Sequence, residues 1–169
     1  MQFVPIADVP ADSVEQLLDR AFGEDRHGRT AYRIRDGMAA LPALSFAAVD
    51  NGTLAGTIQC WPITFYGDDG RETPLIMLGP VAVEPSRQQN GIGRLLTARA
   101  LEAIDADPTN PAVVLIGNPE YYGRFFGFVA DGTAGWRVPG PVDRHRLLAR
   151  GGAVPAGDGL LGPRVTAHA

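Results

Sequence analysis

The chain contains no lysine; all 15 of its basic residues are arginines. A Walker-type phosphate loop, whose lysine reaches the terminal phosphates, is therefore excluded, as is Schiff-base chemistry by a lysine of this chain. Cysteine occurs once, at Cys60, so no internal disulfide can form, and three scattered histidines make no cluster with metal-ligand spacing. Cys60 sits in the apolar strand-like run Thr57-Ile58-Gln59-Cys60-Trp61, which favours packing over a nucleophilic role. No apolar run approaches the length of a membrane span, and the first residues lack the basic and hydrophobic blocks of a signal peptide. A cytoplasmic protein is expected. A net charge of -4 and no basic stripe speak against nucleic acid as a partner. The acidity suits a cationic substrate, and it suits solubility equally well.

What is present is a 169-residue chain, 45% apolar and 20% charged, enough for one well-filled domain. Its organising stretch runs from Leu78 to Leu101. Val81 and Val83 mark a strand, Glu84-Pro85-Ser86 turns it, a polar loop carries Gly91 and Gly93, and a helix follows. The helix is expected from Ile92, Leu95, Leu96, Arg99 and Ala100, whose three- and four-residue spacing makes one apolar side, with no Pro or Gly between Arg94 and Ala106. The loop then forms the helix's first turn, where backbone N–H groups lack intrahelical partners and carry the positive end of the dipole. Such an end holds phosphate. Glycines at positions 91 and 93 keep Cβ atoms away from those amides and permit turn conformations closed to other residues.

Before that stretch, Gln2 to Ile6 reads as an edge strand. A helix is expected with Ser13 as N-cap, Gln16 completing a capping box, Val14, Leu17, Leu18 and Ala21 on its apolar face, and its end near Gly23. Gly23 to Arg35 is polar and Gly-punctuated, with a short helix around Ala31 to Arg35. Strands at Leu44 to Val49 and Leu54 to Phe65 flank Asn51-Gly52, the type I′ hairpin signal, with Pro62 marking a bulge or edge. A turn at Gly67 to Gly70 leads to a strand from Pro74 to Val83, closing an antiparallel meander. After the helix, Asp107 to Pro111 breaks the chain, and Ala112 to Ile116 reads as a buried strand parallel to the one before the helix. Ala134 to Val138 reads as a further strand and Asp143 to Ala149 as a short helix. A single domain is expected over residues 1–150, with 151–169 a Gly/Pro/Ala-rich tail, either a loose strand or disordered.

The segment Gln88-x-x-Gly91-x-Gly93 after a strand resembles the acetyl-CoA pyrophosphate loop of the GNAT superfamily of N-acetyltransferases, and Val113 to Phe128 (VVLIGNPEYYGRFFGF) is similar to that family's fifth strand and Tyr-bearing helix. The resemblance covers roughly Leu44 to Leu148, and Pro139 to Leu148 is similar to a bacterial subgroup. It implies a mixed α/β fold: an antiparallel meander followed by a parallel strand pair flanked by helices. It also implies acetyl-CoA as co-substrate, no metal, and transfer of acetyl to a primary amine by direct attack in a ternary complex. A homodimer is compatible with it.

By the resemblance, backbone at Val81, Ala82 and Val83 meets the pantetheine arm and the acetyl carbonyl, and the amides of Gln88, Gln89, Asn90, Gly91, Ile92, Gly93 and Arg94 hold the pyrophosphate. Asn118 is a coenzyme contact. Arg87 and Arg94 add charge for phosphate or stay solvated. Glu84, just past the strand, is either the base that takes the ammonium proton or an exposed turn residue. Tyr122 is either the general acid for the thiolate or a packed aromatic; the family places three residues between its Tyr and Gly-Phe, whereas four separate Tyr122 from Gly127 here. Acceptor choice falls to variable loops, Gly23 to Arg35, with Glu24, Asp25 and His27, and Ile63 to Thr73. Two alternatives stand beside this one. The first is an idle acyl-CoA-binding domain acting as sensor or scaffold. The second is a Rossmann-like oxidoreductase, disfavoured because the third glycine of its fingerprint is missing.

Overall fold

In the computed structural model, which describes residues 1–165, the chain runs β1 (Gln2–Pro5), α1 (Ala11–Phe22), α2 (Thr30–Ile34), β2 (Phe46–Asp50), β3 (Thr53–Gly67), β4 (Glu72–Val83), α3 (Ile92–Asp105), β5 (Val113–Ile116), α4 (Pro119–Phe126), β6 (Trp136–Arg137), β7 (Leu147–Arg150) and β8 (Gly159–Pro163). The strands make a mixed eight-stranded sheet of order β1-β2-β3-β4-β5-β7, with β8 joined to β3 and β6. Two compact units share the long strands β3 and β4: one of Met1–His27, Ala40–Cys60 and Leu78–Asn110, the other of Gly28–Ala39, Trp61–Met77 and the chain from Pro111 on. Among the described residues no helix is long and apolar enough to cross a membrane.

In the first unit, β1 pairs antiparallel with β2, and β2 with β3. Asn51 and Gly52 join the latter pair with φ of 51° and 77°, the left-handed pair that a two-residue hairpin turn requires. Helix α1 buries Val14, Leu17 and Leu18 against Ala82 of β4, with Ile6, Val9, Ala21, Phe22 and Leu54 around them. Its start differs from expectation. Pro10, not Ser13, is the N-cap, and its carbonyl accepts from the Ser13 and Val14 amides. Ala11 and Asp12 can both be helical, so the proline, which cannot continue a helix backwards, sets the boundary.

Helix α3 buries Ile92, Leu96, Thr97, Ala100, Leu101 and Ile104. Leu95, expected on that face, is 52% exposed, and Arg99 is exposed as well. The buried stripe therefore advances through Leu101 and Ile104 at four- and three-residue steps. Gly56 of β3 explains how closely α3 approaches: a Cβ there would stand 3.0 Å from the Ala82 carbonyl oxygen and from side-chain atoms of Ile92 and Leu96. Gly56→Val is expected to destabilise the fold by about 1–3 kcal/mol, because one of three packed neighbours has to move. A urea midpoint indistinguishable from that of the native protein would contradict this packing.

In the second unit, Ile63 to Gly67 of β3 pair antiparallel with β8, and β6 lies parallel to β8. Pro62 thus falls between the part of β3 that pairs with β2, ending at Ile58, and the part that pairs with β8, starting at Ile63. Gly159 of β8 leaves room for the Phe65 ring, which packs on Trp136 with centroids 5.0 Å apart. The Tyr66 hydroxyl donates to the Pro163 carbonyl at 2.6 Å, and Arg164 donates to the carbonyls of Ile63 and Leu75. Of the expected tail, Gly159–Pro163 are strand, and residues 166–169 lie outside the described residues.

Three expectations are corrected in this unit. Asp143 to Ala149 is not a helix: Asp143 caps a single 3-10 turn, Arg144–Arg146, and Leu147 opens β7, antiparallel to β5. The run Leu147-Leu148-Ala149 is fully buried beside Ile116, Leu115 and Val114, and this pairing decides between two conformations that so short a run allows. The strand expected over Ala134 to Val138 shrinks to Trp136–Arg137. The acceptor loop expected over Ile63 to Thr73 is mostly strand, since β3 ends at Gly67 and β4 starts at Glu72.

Candidate active site

Strand β4 pairs parallel to β5 only at Ile76 with Val113 and Met77 with Val114, among the described residues. The next residues account for where this ladder ends. Gly79 has φ of 124°, outside the strand region, and Pro80 has no N–H to donate. Beyond them Val81, Ala82 and Val83 continue β4; Ala82 is fully buried under α1, and the two valines are half-buried. Gly79-Pro80 was a readable signal in the sequence, a strand interrupted at one defined point.

After Val83 the chain makes a 3-10 helix, Pro85–Asn90, where the sequence suggested a turn at Glu84-Pro85-Ser86 and a polar loop. Gly91 follows at φ 72° and ψ 14°, a left-handed residue that is at once the C-cap of the 3-10 helix and the N-cap of α3. The N-cap Gly91 brings no side chain to cap α3, and the helix's first turn carries no carboxylate. By contrast, α4 is capped by the Asn118 side chain, which accepts from the Tyr121 amide at 3.0 Å. The uncapped, positive end of a 14-residue helix thus follows directly on the exposed residues Gln88, Asn90 and Gly91. Gly93 is half-buried, Arg94 exposed, and the Ile92 side chain belongs to the core, which leaves only its backbone for a ligand. The Gln89 side chain lies outside the described residues.

Glu84 is the pivot between strand and loop. Its amide donates to the Ala55 carbonyl at 2.9 Å, and its side chain meets Arg20 of α1, whose Nη2 and Nε both donate to Oε2, at 2.8 and 3.1 Å. Sequence reading missed Arg20, and no local pattern could have found it, since 64 residues separate the partners. Arg87, considered for phosphate, pairs instead with Asp50 of the hairpin at 2.7 Å and holds that carboxyl below its usual range. In the Gly23 to Arg35 segment, Glu24, Asp25 and His27 are exposed, while Arg26 is buried against Glu15 and Asp19.

In the second unit, Asn118 and Tyr122 share one helical turn, the Tyr122 amide donating to the Asn118 carbonyl at 3.0 Å. The Tyr122 ring lies against Gly117, where a Cβ would come within 2.5 Å of it, and stands edge-on to Phe128 at 6.0 Å. Burial pushes its phenol up, Tyr121 adds to the rise and Arg146 opposes it. A phenol so shifted keeps its proton, as a donor to a leaving group must. Gly127, left-handed at φ 75°, ends α4, with its own amide donating to the Gly123 carbonyl and the Phe128 amide reaching back to the Tyr122 carbonyl. The Cys60 thiol is pushed up to about 12 by burial, which removes it as a nucleophile. Among the described residues no group of His, Cys, Asp and Glu could hold a metal ion.

Comparison with known proteins adds to this geometry. Residues 11–128 match the family described as Acetyltransferase (GNAT) family. No curated protein matches the chain in sequence. Among solved structures, a GNAT family acetyltransferase of Brucella melitensis in complex with acetyl-CoA is 27% identical, covers 94% of this chain and 93% of its own, and superposes with a TM-score of 0.64. The GNAT family N-acetyltransferase YhbS of Escherichia coli, in complex with CoA, is 23% identical over 90% of this chain and 86% of its own, with a TM-score of 0.66. Arabidopsis thaliana Naa50, in complex with a bisubstrate analogue, shares the fold at 18% identity and a TM-score of 0.51, covering 89% of this chain and 97% of its own.

Proposed function

Since the chain belongs to the GNAT acetyltransferase family, we propose that it is an acetyl-CoA-dependent N-acetyltransferase that moves acetyl to a primary amine by direct attack. The observation that carries this reading is the uncapped N-terminus of α3 behind the left-handed Gly91. There the amides from Gln88 to Arg94 receive the pyrophosphate, while Val81 to Val83 offer backbone groups to the pantetheine arm and a donor to the acetyl oxygen. A donor aimed at developing charge is worth about 3 kcal/mol. The amine nitrogen bonds to the acetyl carbon, the carbon–sulfur bond breaks, and the pair leaves on sulfur. Glu84 takes the ammonium proton before attack, directly or through water. As the tetrahedral adduct collapses, Tyr122 supplies a proton to the thiolate, and the second proton shed by the acylated nitrogen passes through water to restore the phenol. Asn118 contacts the coenzyme through the amide nitrogen that its capping role leaves unused.

Thiol release from acetyl-CoA across a panel of amines tests the proposal. Tight coenzyme binding with no release for any amine would replace it with the sensor reading. Glu84→Gln is expected to lower kcat/KM by about 10²-fold or more where the acceptor amine is protonated, with the loss shrinking as pH rises and free amine accumulates. A small, pH-independent effect would return Glu84 to a turn residue.

A further inference from the structure

Among the described residues, the Glu84 carboxylate is held from one side. Both Arg20 donors converge on Oε2, and Oε1 makes no hydrogen bond among the described residues. The backbone below is fixed by the bond from the Glu84 amide to Ala55 and by Leu17 and Leu18 of α1 packing on Ala82, two residues before Glu84. Arg20 lies three residues beyond Leu17 on the same helix, so the packing that seats α1 also delivers the guanidinium. The Arg20 and Glu84 side chains are 47% and 24% exposed. An ion pair that exposed contributes little to stability, because solvent screens it and two long side chains lose freedom. Its consequence is orientation: two N–H groups of one planar fork fix a carboxylate that alone would rotate.

We propose that Arg20 is a positioning residue, which holds Glu84 by Oε2 so that Oε1 faces the acceptor's ammonium or the water that relays its proton. The proposal rests on the reading of Glu84 given above. Arg20 touches neither the coenzyme nor the reacting atoms in this role, and it acts only through Glu84.

The test is a double-mutant cycle on the full chain, with kcat, both KM values and melting temperature measured for Arg20→Met, Arg20→Lys, Glu84→Gln and Arg20→Met/Glu84→Gln. Arg20→Met is expected to lower kcat at least about tenfold, as a misplaced base does. The KM for acetyl-CoA should stay within about twofold and the melting temperature within about 2 °C, the latter because a screened pair adds little. Arg20→Lys should recover part of the loss. In the Glu84→Gln background the Arg20 substitution should add nothing. If Glu84→Gln loses turnover but Arg20→Met keeps it, the positioning role is overturned and the reading of Glu84 stands. If Glu84→Gln itself keeps full turnover, that reading fails first. Additive losses would place Arg20's effect elsewhere, and a loss that follows the melting temperature without rescue by lysine would make Arg20 structural; both overturn the proposal.

Discussion

Gly91→Val is expected to weaken acetyl-CoA binding at least about a hundredfold while leaving the protein folded. Gly91 sits at φ 72° and ψ 14°, a region in which a β-branched residue is an outlier, so valine costs about 1–3 kcal/mol there or drives the backbone out of it. Where the free protein relieves that strain by leaving the left-handed region, binding has to restore it, and at about 1.4 kcal/mol per tenfold this accounts for a large part of the loss. The remainder comes from obstruction. A Cβ at Gly91 meets no protein atom within 4 Å, so it projects into open space beside the α3 amides, the space assigned to phosphate. The two contributions separate experimentally, because asparagine tolerates the left-handed region and still brings a side chain. If Gly91→Asn binds as the native protein does, strain is the whole effect; if it binds as poorly as valine, obstruction dominates. Unchanged affinity in Gly91→Val, by calorimetry, would remove the phosphate assignment. Gly93 poses a different question: a Cβ there would make ordinary contacts of 3.5 and 3.6 Å with Val83 and Val81, so loss of binding on adding Asp would report charge and not fit.

Tyr122→Phe should keep acetyl-CoA affinity within a few fold and lower kcat at least about tenfold, whereas Tyr121→Phe should do little. The thiol of coenzyme A, with a pKa near 8.5 for an ordinary thiol, leaves tolerably as thiolate at neutral pH, so a proton donor helps by a bounded factor, at most about 10²- to 10⁴-fold. Removing the hydroxyl leaves the ring, which keeps its place on Gly117 and Phe128. The comparison is clean because the neighbouring ring of Tyr121 lies 4.9 Å away on the same helix and turns a different face to its surroundings. A large loss at Tyr121 with none at Tyr122 would reassign the acid by one residue. If neither variant loses turnover, the thiolate departs unassisted and no tyrosine here is catalytic.

What could be read from the sequence was whatever local chemistry decides. Asn51-Gly52 specified its turn because only certain residues reach positive φ, and the two glycines at positions 91 and 127 marked helix boundaries for the same reason. The helices α1 and α3 were legible from apolar spacing, though Leu95 shows that spacing alone does not say which edge of a stripe is buried. Leu147 to Ala149 was illegible because its strand character comes from β5, about thirty residues earlier in the chain. Of the candidate site, the loop proposed to hold the coenzyme was written as a motif. The Arg20–Glu84 pair and the retention of Arg87 by Asp50 were not, since each depends on side chains from distant elements meeting in space.

The pairing of β8 with β3 sets a timetable for synthesis. Ile63 to Gly67 leave the ribosome long before Gly159 to Pro163, and the Arg164 bond that pins β8 to Ile63 spans 101 residues. Until then that edge of β3 carries Ile63 and Phe65 with no strand beside it on the β8 side, in the state most open to pairing with another nascent chain. The β8 segment therefore acts as a late cover: it buries an edge that the growing polypeptide has had to carry exposed. A ribosome pausing between β7 and β8 would lengthen the interval in which that edge can be captured.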